Sequence, residues 1–246
     1  MTSTATDTQY ELPKRRRIFL MRHGDVTYFD ATGRAIDPMN VPLNERGRDE
    51  ASAAGREFKA QQIRFDKVVA SGLPRTLETA QRVLAETGQS VDIEIWPEWE
   101  EIRGGRLGDL PPKDFERAFL SVFDGIVPET TSFLGGETIG DLLDRVLPPL
   151  QRLRDDTSWD TVLLVLHGGV NRALLSHAIT GGGRTFFGHL SQTTGCINAL
   201  DVGTKPGDWV IRALNHSPPS PLHATVRNTT MELLYAQFVR FKSLMK

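Results

Sequence analysis

Histidine can act as a nucleophile near neutral pH. Arginine grips phosphate through parallel N–H donors, and a carboxyl group can hand a proton to a departing oxygen. The 246-residue chain carries all three kinds of group just after short apolar runs. Arg22-His23-Gly24 follows Ile18-Phe19-Leu20-Met21, and Ser71-Gly72-Leu73-Pro74-Arg75-Thr76 follows Lys67 to Ala70. Trp99-Glu100-Glu101-Ile102 follows the alternating stretch Val91 to Trp96, and His167-Gly168-Gly169 follows Thr161 to Leu166. Each residue taken singly has an ordinary structural reading. Arg75 could pair with a surface acid on its helix, His167 could be a core histidine, and Glu101 sits in an acidic run with Glu98 and Glu100. Glu137, in Gly135-Gly136-Glu137-Thr138, reads as a first-turn acid favoured by a helix dipole. Pro42 to Gly47 reads as a loop and cap with no chemistry. The single readings do not account for the joint placement.

The elements that must position these residues alternate between strand and helix. Arg17 to Met21, Lys67 to Ala70, Val91 to Trp96 and Thr161 to Leu166 read as strands. Asn44 to Gln61 reads as a helix with Asn44 as N-cap and Ala51, Ala54 and Phe58 on one face. Pro74 to Thr87 is expected to be a helix ended by Gly88, and Val170 to Ile179 one closed by Gly181-Gly182-Gly183. Thr138 to Arg154 reads as helical with a break or kink near Pro148-Pro149. Cys196 to Val202 and Trp209 to Leu214 read as strands joined by a turn, and Thr229 to Leu244 as a helix with Met231, Leu234, Phe238 and Phe241 at helical spacing. Such alternation implies an α/β fold with a mostly parallel central sheet covered on both faces. The carboxyl ends of parallel strands share one edge, where open α/β sheets bind ligands. Arg22, His23, Arg75, Glu101 and His167 would converge there as a phosphoryl site without a metal.

Composition narrows the classes. A net charge of −2 and 24% charged residues suit a globular chain and give no general footprint for nucleic acid. The basic cluster Lys14 to Arg17 reads as the flank of the first strand. One cysteine, Cys196, excludes a disulfide framework within the chain and suits a reducing, cytoplasmic setting. No run approaches the ~20 apolar residues of a membrane span. Residues 1–13 read as a flexible tail and 14–246 as one domain, with a cap insertion around 103–135. Arg103, Arg106, Lys113 and Arg117 in that insertion could hold a second anionic group or simply face solvent. Oligomeric state is not legible.

Six segments in order carry a resemblance to the histidine phosphatase superfamily, the phosphoglycerate-mutase-like proteins. They are Arg22-His23-Gly24; Pro42-Leu43 with Gly47 and Ala51; Ser71, Leu73 and Arg75 with Thr79-Ala80; Glu101; Gly136-Glu137-Thr138; and His167-Gly168-Gly169. The resemblance covers Arg17 to about Leu214. It implies a three-layer α/β/α sandwich and a transient phosphohistidine on His23. It also implies that Arg22, Arg75 and a protonated His167 hold the phosphoryl group, that Glu101 is the proton donor, and that no cofactor is needed. A metal-independent phosphatase acting on a small phosphomonoester is the activity expected. A mutase-type phosphotransferase and a weakly active binding or regulatory protein are the alternatives. Two positions depart from the family pattern: Val26 and Phe29 stand where many members have a threonine or serine and a phosphate-binding asparagine. Thr27 or Asn44 could substitute. The stretch Ile102 to Gly108 departs from the mutases' arginine-and-tyrosine-rich segment and favours the phosphatase branch, although Asp109 stands where its turn usually has glycine.

Overall fold

The computed structural model describes residues 11–30, 34, 36–106 and 110–244. Most of the expected tail, Leu107 to Asp109 of the expected turn and the side chain of Phe241 lie outside the described residues. The elements run in the order β1 (Arg16–Arg22), α1 (Glu45–Ala60), β2 (Lys67–Ala70), α2 (Pro74–Thr87) and β3 (Ile93–Ile95). Then come α3 (Phe115–Leu120), β4 (Ile126–Val127), α4 (Ile139–Asp155), β5 (Thr161–Leu166) and α5 (Gly168–Ile179). The chain closes with β6 (Phe186–Phe187), β7 (Ile197–Val202), β8 (Trp209–His216) and α6 (Thr230–Leu244).

Six strands form one sheet in the order β3-β2-β5-β1-β7-β8. The first four are parallel; β7 runs antiparallel to β1, and β8 antiparallel to β7. Side chains on a strand alternate between faces, and β1 and β5 are apolar on both. Ile18, Leu20, Val162, Leu164 and Leu166 join the core under α4 and α5. Phe19, Met21, Leu163 and Val165 join the core under α1 and α2, with Ala54, Phe58, Ala80 and Val83. The result is a helix–sheet–helix sandwich of mixed α/β class.

The helices begin and end as their residues dictate. The Asn44 side chain accepts from Gly47 N and caps α1, while Pro74 opens α2 and Gly88, at φ 68°, closes it. Helix α4 corrects the expectation of a break, because it runs on through Pro148 and Pro149 to Asp155. An interior proline costs a helix about 3 kcal/mol. Against that, Ile139, Leu142, Leu143, Val146, Pro149, Leu150 and Leu153 are all buried on one face, each worth roughly 1.5–3 kcal/mol for a large apolar side chain. Burial wins. Strand β3 is shorter than the alternation of Val91 to Trp96 implied, and α5 starts at Gly168 rather than Val170.

The segment between β3 and α4 is less irregular than its sequence. It contains α3, flanked by 3₁₀ turns, and β4, which pairs with β6 in a separate two-stranded ribbon. Phe115 and Phe119 of α3 meet Tyr235 and Phe238 of α6, with ring centroids 5.4 Å apart in three pairs.

Candidate active site

Strand β1 delivers Arg22 and His23 to the carboxyl edge of the sheet. His23 N donates to the Leu166 carbonyl at 3.0 Å, and its own carbonyl accepts from Gly195 N at 3.1 Å. The imidazole is buried, with Nδ1 2.7 Å from the Gly24 carbonyl. A carbonyl can only accept, so Nδ1 carries the proton and Nε2 keeps its lone pair. Burial, then Arg75 and Arg22, hold His23 well below the ordinary histidine value, outweighing the Gly24 carbonyl. The ring is a neutral nucleophile of fixed tautomer.

The loop that follows is pinned by backbone contact. A Cβ on Gly24 would stand 2.2 Å from the Gly47 carbonyl oxygen, and one on Gly47 would stand 2.1 Å from that of Asp25. Gly24 N also donates to Thr79 Oγ1 at 3.1 Å, and Asp25 N to Glu50 at 2.9 Å. Within Pro42 to Gly47, the glycine therefore sets where the nucleophile's loop can lie.

Arg75 reaches the same edge from the first turn of α2. It is 2% exposed and Arg22 is 7% exposed. Arg75 Nη1 donates to the Pro38 carbonyl at 2.6 Å. Arg22 Nη1 donates to the Gln192 carbonyl at 2.5 Å and to Thr230 Oγ1 at 2.9 Å. The Nε of each is buried without a partner. An orphaned guanidinium N–H is costly in a native protein and asks for an acceptor. Arginine N–H pairs facing a bound oxyanion would supply it.

His167 ends β5 and stacks edge-on against His23, ring centroids 5.2 Å apart. Its Nε2 lies 2.8 Å from Ser71 Oγ, and its Nδ1 is buried without a partner. Burial first, then Arg75, His23 and Arg22, push His167 well below the ordinary value. The expectation of a protonated His167 therefore does not hold here: the neighbouring cations and the loss of water both disfavour a second charge. Thr76 donates to the Leu73 carbonyl, so the Ser71 proton is free to go to His167 Nε2 or to Thr76. With Ser71 donating to Nε2, His167 Nδ1–H is a neutral donor.

Glu101 arrives from the 3₁₀ turn Pro97–Trp99, which Trp99 Nε1 ties to the Val146 carbonyl of α4 at 3.0 Å. Its carboxylate accepts from Gly169 N at 3.0 and 3.2 Å and from Ile102 N at 2.9 Å. A Cβ on Gly169 would stand 2.6 Å from Glu101 Oε1, and one on Gly168 would stand 3.5 Å from Arg22 Nε. Gly169 thus leaves room for the carboxylate, while a Cβ at Gly168 would make only ordinary contact with Arg22. Glu98 and Glu100 do not share this place: Glu98 faces Arg152 and Glu100 faces Arg103.

Glu137 is more than a first-turn acid. It makes two 2.8 Å bonds with Arg145 and accepts from Arg103 N, while Thr138 and Asp141 form the capping box of α4. Arg145 in turn donates to the carbonyls of Glu98 and Glu100 at 2.8 Å and of Glu101 at 3.3 Å. A partly buried ion pair therefore clamps the backbone that presents Glu101. Arg145 was not singled out in the sequence. Its spacing of eight residues from Glu137, two helical turns, was the available signal. Arg172 was also missed. Buried one turn into α5, it donates to the carbonyls of Gly168 and Gly188, and burial, then Arg22, lowers it to about 10.

Of the two proposed substitutes for the asparagine, Asn44 is fully engaged, whereas exposed Thr27 only accepts and keeps its hydroxyl proton. Asn44 spends its oxygen on Gly47 N and its amide on Asp25 and Thr27. Arg103, Arg106, Lys113 and Arg117 are exposed. Cys196 is buried, and burial raises its thiol to about 11. Among the described residues, no group of three or more His, Cys, Asp and Glu side chains could hold a metal, and no helix is long and apolar enough to cross a membrane.

Known proteins are similar to this chain in sequence and in fold. Phosphoglycerate mutase-like protein 4 of Arabidopsis thaliana is 29% identical over 167 residues, covering 65% of this chain and 70% of that protein. A metal-independent phosphoserine phosphatase of the same plant is 30% identical over 165 residues, covering 64% and 66%. The crystal structure of the alpha-ribazole phosphatase from Shigella flexneri superposes with a TM-score of 0.64 at 25% identity, over 81% of this chain and 96% of that one. The profile of the histidine phosphatase superfamily, branch 1, matches residues 18–217. The chain therefore belongs to the histidine phosphatase superfamily.

Proposed function

We propose that the protein is a metal-independent phosphatase that hydrolyses a small phosphomonoester through phospho-His23. The neutral His23 ring, proton fixed on Nδ1 and lone pair on Nε2, among buried arginine N–H groups that lack an acceptor, is the observation that carries this reading. Arg22, Arg75 and His167 bind the non-bridging oxygens as charge shifts onto them. His23 Nε2 attacks phosphorus, the bond to the ester oxygen breaks, and Glu101 gives that oxygen its proton. Water then attacks phosphohistidine, Glu101 takes the water's proton, and inorganic phosphate leaves with His23 restored. Arg145 and Glu137 act on Glu101 by positioning it.

Replacement of His23 by alanine removes the nucleophile. Turnover of an aryl phosphate should fall below about 1% of wild type, and protein quenched in alkaline detergent, where phosphohistidine is stable, should lose the covalent label that wild type carries. Activity well above that level would sink the covalent role. A mutase-type reading is supported by the name of the Arabidopsis relative. It requires phosphate transfer between substrates in the presence of a bisphosphorylated primer, rather than release of inorganic phosphate.

A further inference from the structure

Residues 218–244 lie beyond the stretch that the superfamily profile matches, yet they return to the site. Helix α6 begins with Thr230, whose Oγ1 accepts from Arg22 Nη1 at 2.9 Å across 208 residues of sequence. Two devices fix this residue. Thr229 and Glu232 exchange bonds at the helix start, Thr229 N donating to the carboxylate at 2.6 Å and Glu232 N to the hydroxyl at 3.2 Å. Further along, Tyr235 and Phe238 pack on Phe115 and Phe119.

The Thr230 hydroxyl uses a lone pair to accept from Arg22, which leaves its own proton to give. Among the described residues none takes it. The same guanidinium presents Nε, buried and without an acceptor, to the site. The nucleophile's own loop offers Val26 and Phe29 where the family pattern would place neutral donors, and the Asn44 amide is held by Asp25 and Thr27. We propose that Thr230 is a phosphate-binding residue of this site: its hydroxyl, polarised by Arg22, donates to a non-bridging oxygen held on that guanidinium. The last helix thus brings a neutral donor to Arg22 from the far end of the chain. This rests on the phosphoryl reading of the site.

Calorimetric titration with inorganic phosphate tests it apart from turnover, using wild type, Thr230→Val and Thr230→Ser. Valine keeps the branched shape and loses the hydroxyl; serine keeps the hydroxyl. Thr230→Val should bind phosphate about tenfold or more weakly, as expected for a hydrogen bond to a charged group. Thr230→Ser should bind within about threefold of wild type, and KM for an aryl phosphate should follow the same order. Thermal midpoints should be alike in all three. Equal affinity of wild type and Thr230→Val overturns the proposal. Tighter binding by Thr230→Val also overturns it and makes Thr230 a competitor for Arg22. Wild type that binds no phosphate removes the phosphoryl reading itself, and Thr230 with it.

Discussion

At the amino end of β1, Arg15 meets Asp208 at 2.7 Å, Arg17 and Arg212 share Asp201, and Arg16 stacks on Trp159 while bonding the carbonyls of Arg154 and Asp156. At the carboxyl end, Arg22 and Arg75 are more deeply buried and, among the described residues, form no ion pair. The two ends share a strand and a residue type. The difference is that one set of charges is neutralised by the fold and the other is left for something the fold does not contain. Partly exposed pairs such as Arg17–Asp201 contribute little, about 0.2–1 kcal/mol. Buried, uncompensated guanidinium groups oppose folding. They persist where binding an anion offsets the cost.

Arg75→Met probes the unneutralised end most severely. Loss of one charged donor at a developing oxyanion should lower kcat/KM for a phosphomonoester about 10²–10³-fold, or roughly 2.7–4 kcal/mol of barrier. Its thermal midpoint should hold or rise, since a desolvated charge is removed. A midpoint several degrees lower, with activity retained, would make Arg75 structural and erase the contrast. Gly169→Ala should act next most strongly, because the added methyl collides with Glu101 Oε1. Turnover of alkyl phosphates should fall about tenfold further than that of aryl phosphates, whose leaving groups need little proton help. Equal losses would show that Glu101 serves only in positioning.

Acid titration separates the ends by sign. Folded His23 and His167 sit well below the ordinary histidine value because of burial and nearby arginines. Below about pH 6.5 the unfolded chain therefore binds protons that the folded chain refuses, and stability falls with falling pH. The amino-end carboxylates behave as depressed acids. Asp156 is lowered to about 2 by Ser158 and Lys67, and Arg17 and Arg212 hold Asp201 low against its burial. Their contribution is intact above about pH 4 and lost only below it. Thermal midpoints should decline between pH 6.5 and 5, and inorganic phosphate should reverse that decline. A flat profile there would mean the histidines are charged when folded. The smallest effect belongs to Arg17→Met: a loss of under about 1 kcal/mol of stability, with kcat/KM unchanged in the same assay.

The placement of Arg22, His23 and His167 at one edge was legible because they end or follow apolar runs that are parallel strands, whereas Arg75 is carried by the first turn of α2 and Glu101 by the 3₁₀ turn after β3. The helix caps at Asn44, Pro74 and Gly88 were legible for local reasons. What stayed hidden depends on distant partners. Nothing near Pro148 announces that α4's buried face outweighs two prolines. Phe186-Phe187 is too short to read as a strand until it meets Ile126-Val127. The downward shift of His167 follows from burial, then from Arg75 on α2 and His23 after β1, which are distant in sequence. Glu137 becomes a clamp only beside Arg145, and the contact between Arg22 and Thr230 spans nearly the whole chain.

Strand β1 is made first and lies inside the sheet, between β5 and β7. Its partners follow far later: Arg17 pairs with Thr161 on one side and Asp201 on the other. At roughly 5–20 residues per second of synthesis, Ile18 to Met21 waits on the order of ten seconds for its first neighbour. An apolar run of that kind, unpaired on both edges, invites association with other chains. The arginines at 15–17 stand beside it throughout that interval, before Asp201 and Asp208 exist to neutralise them. Charges that add little to the finished fold are then unpaired, and their mutual repulsion keeps nascent chains apart.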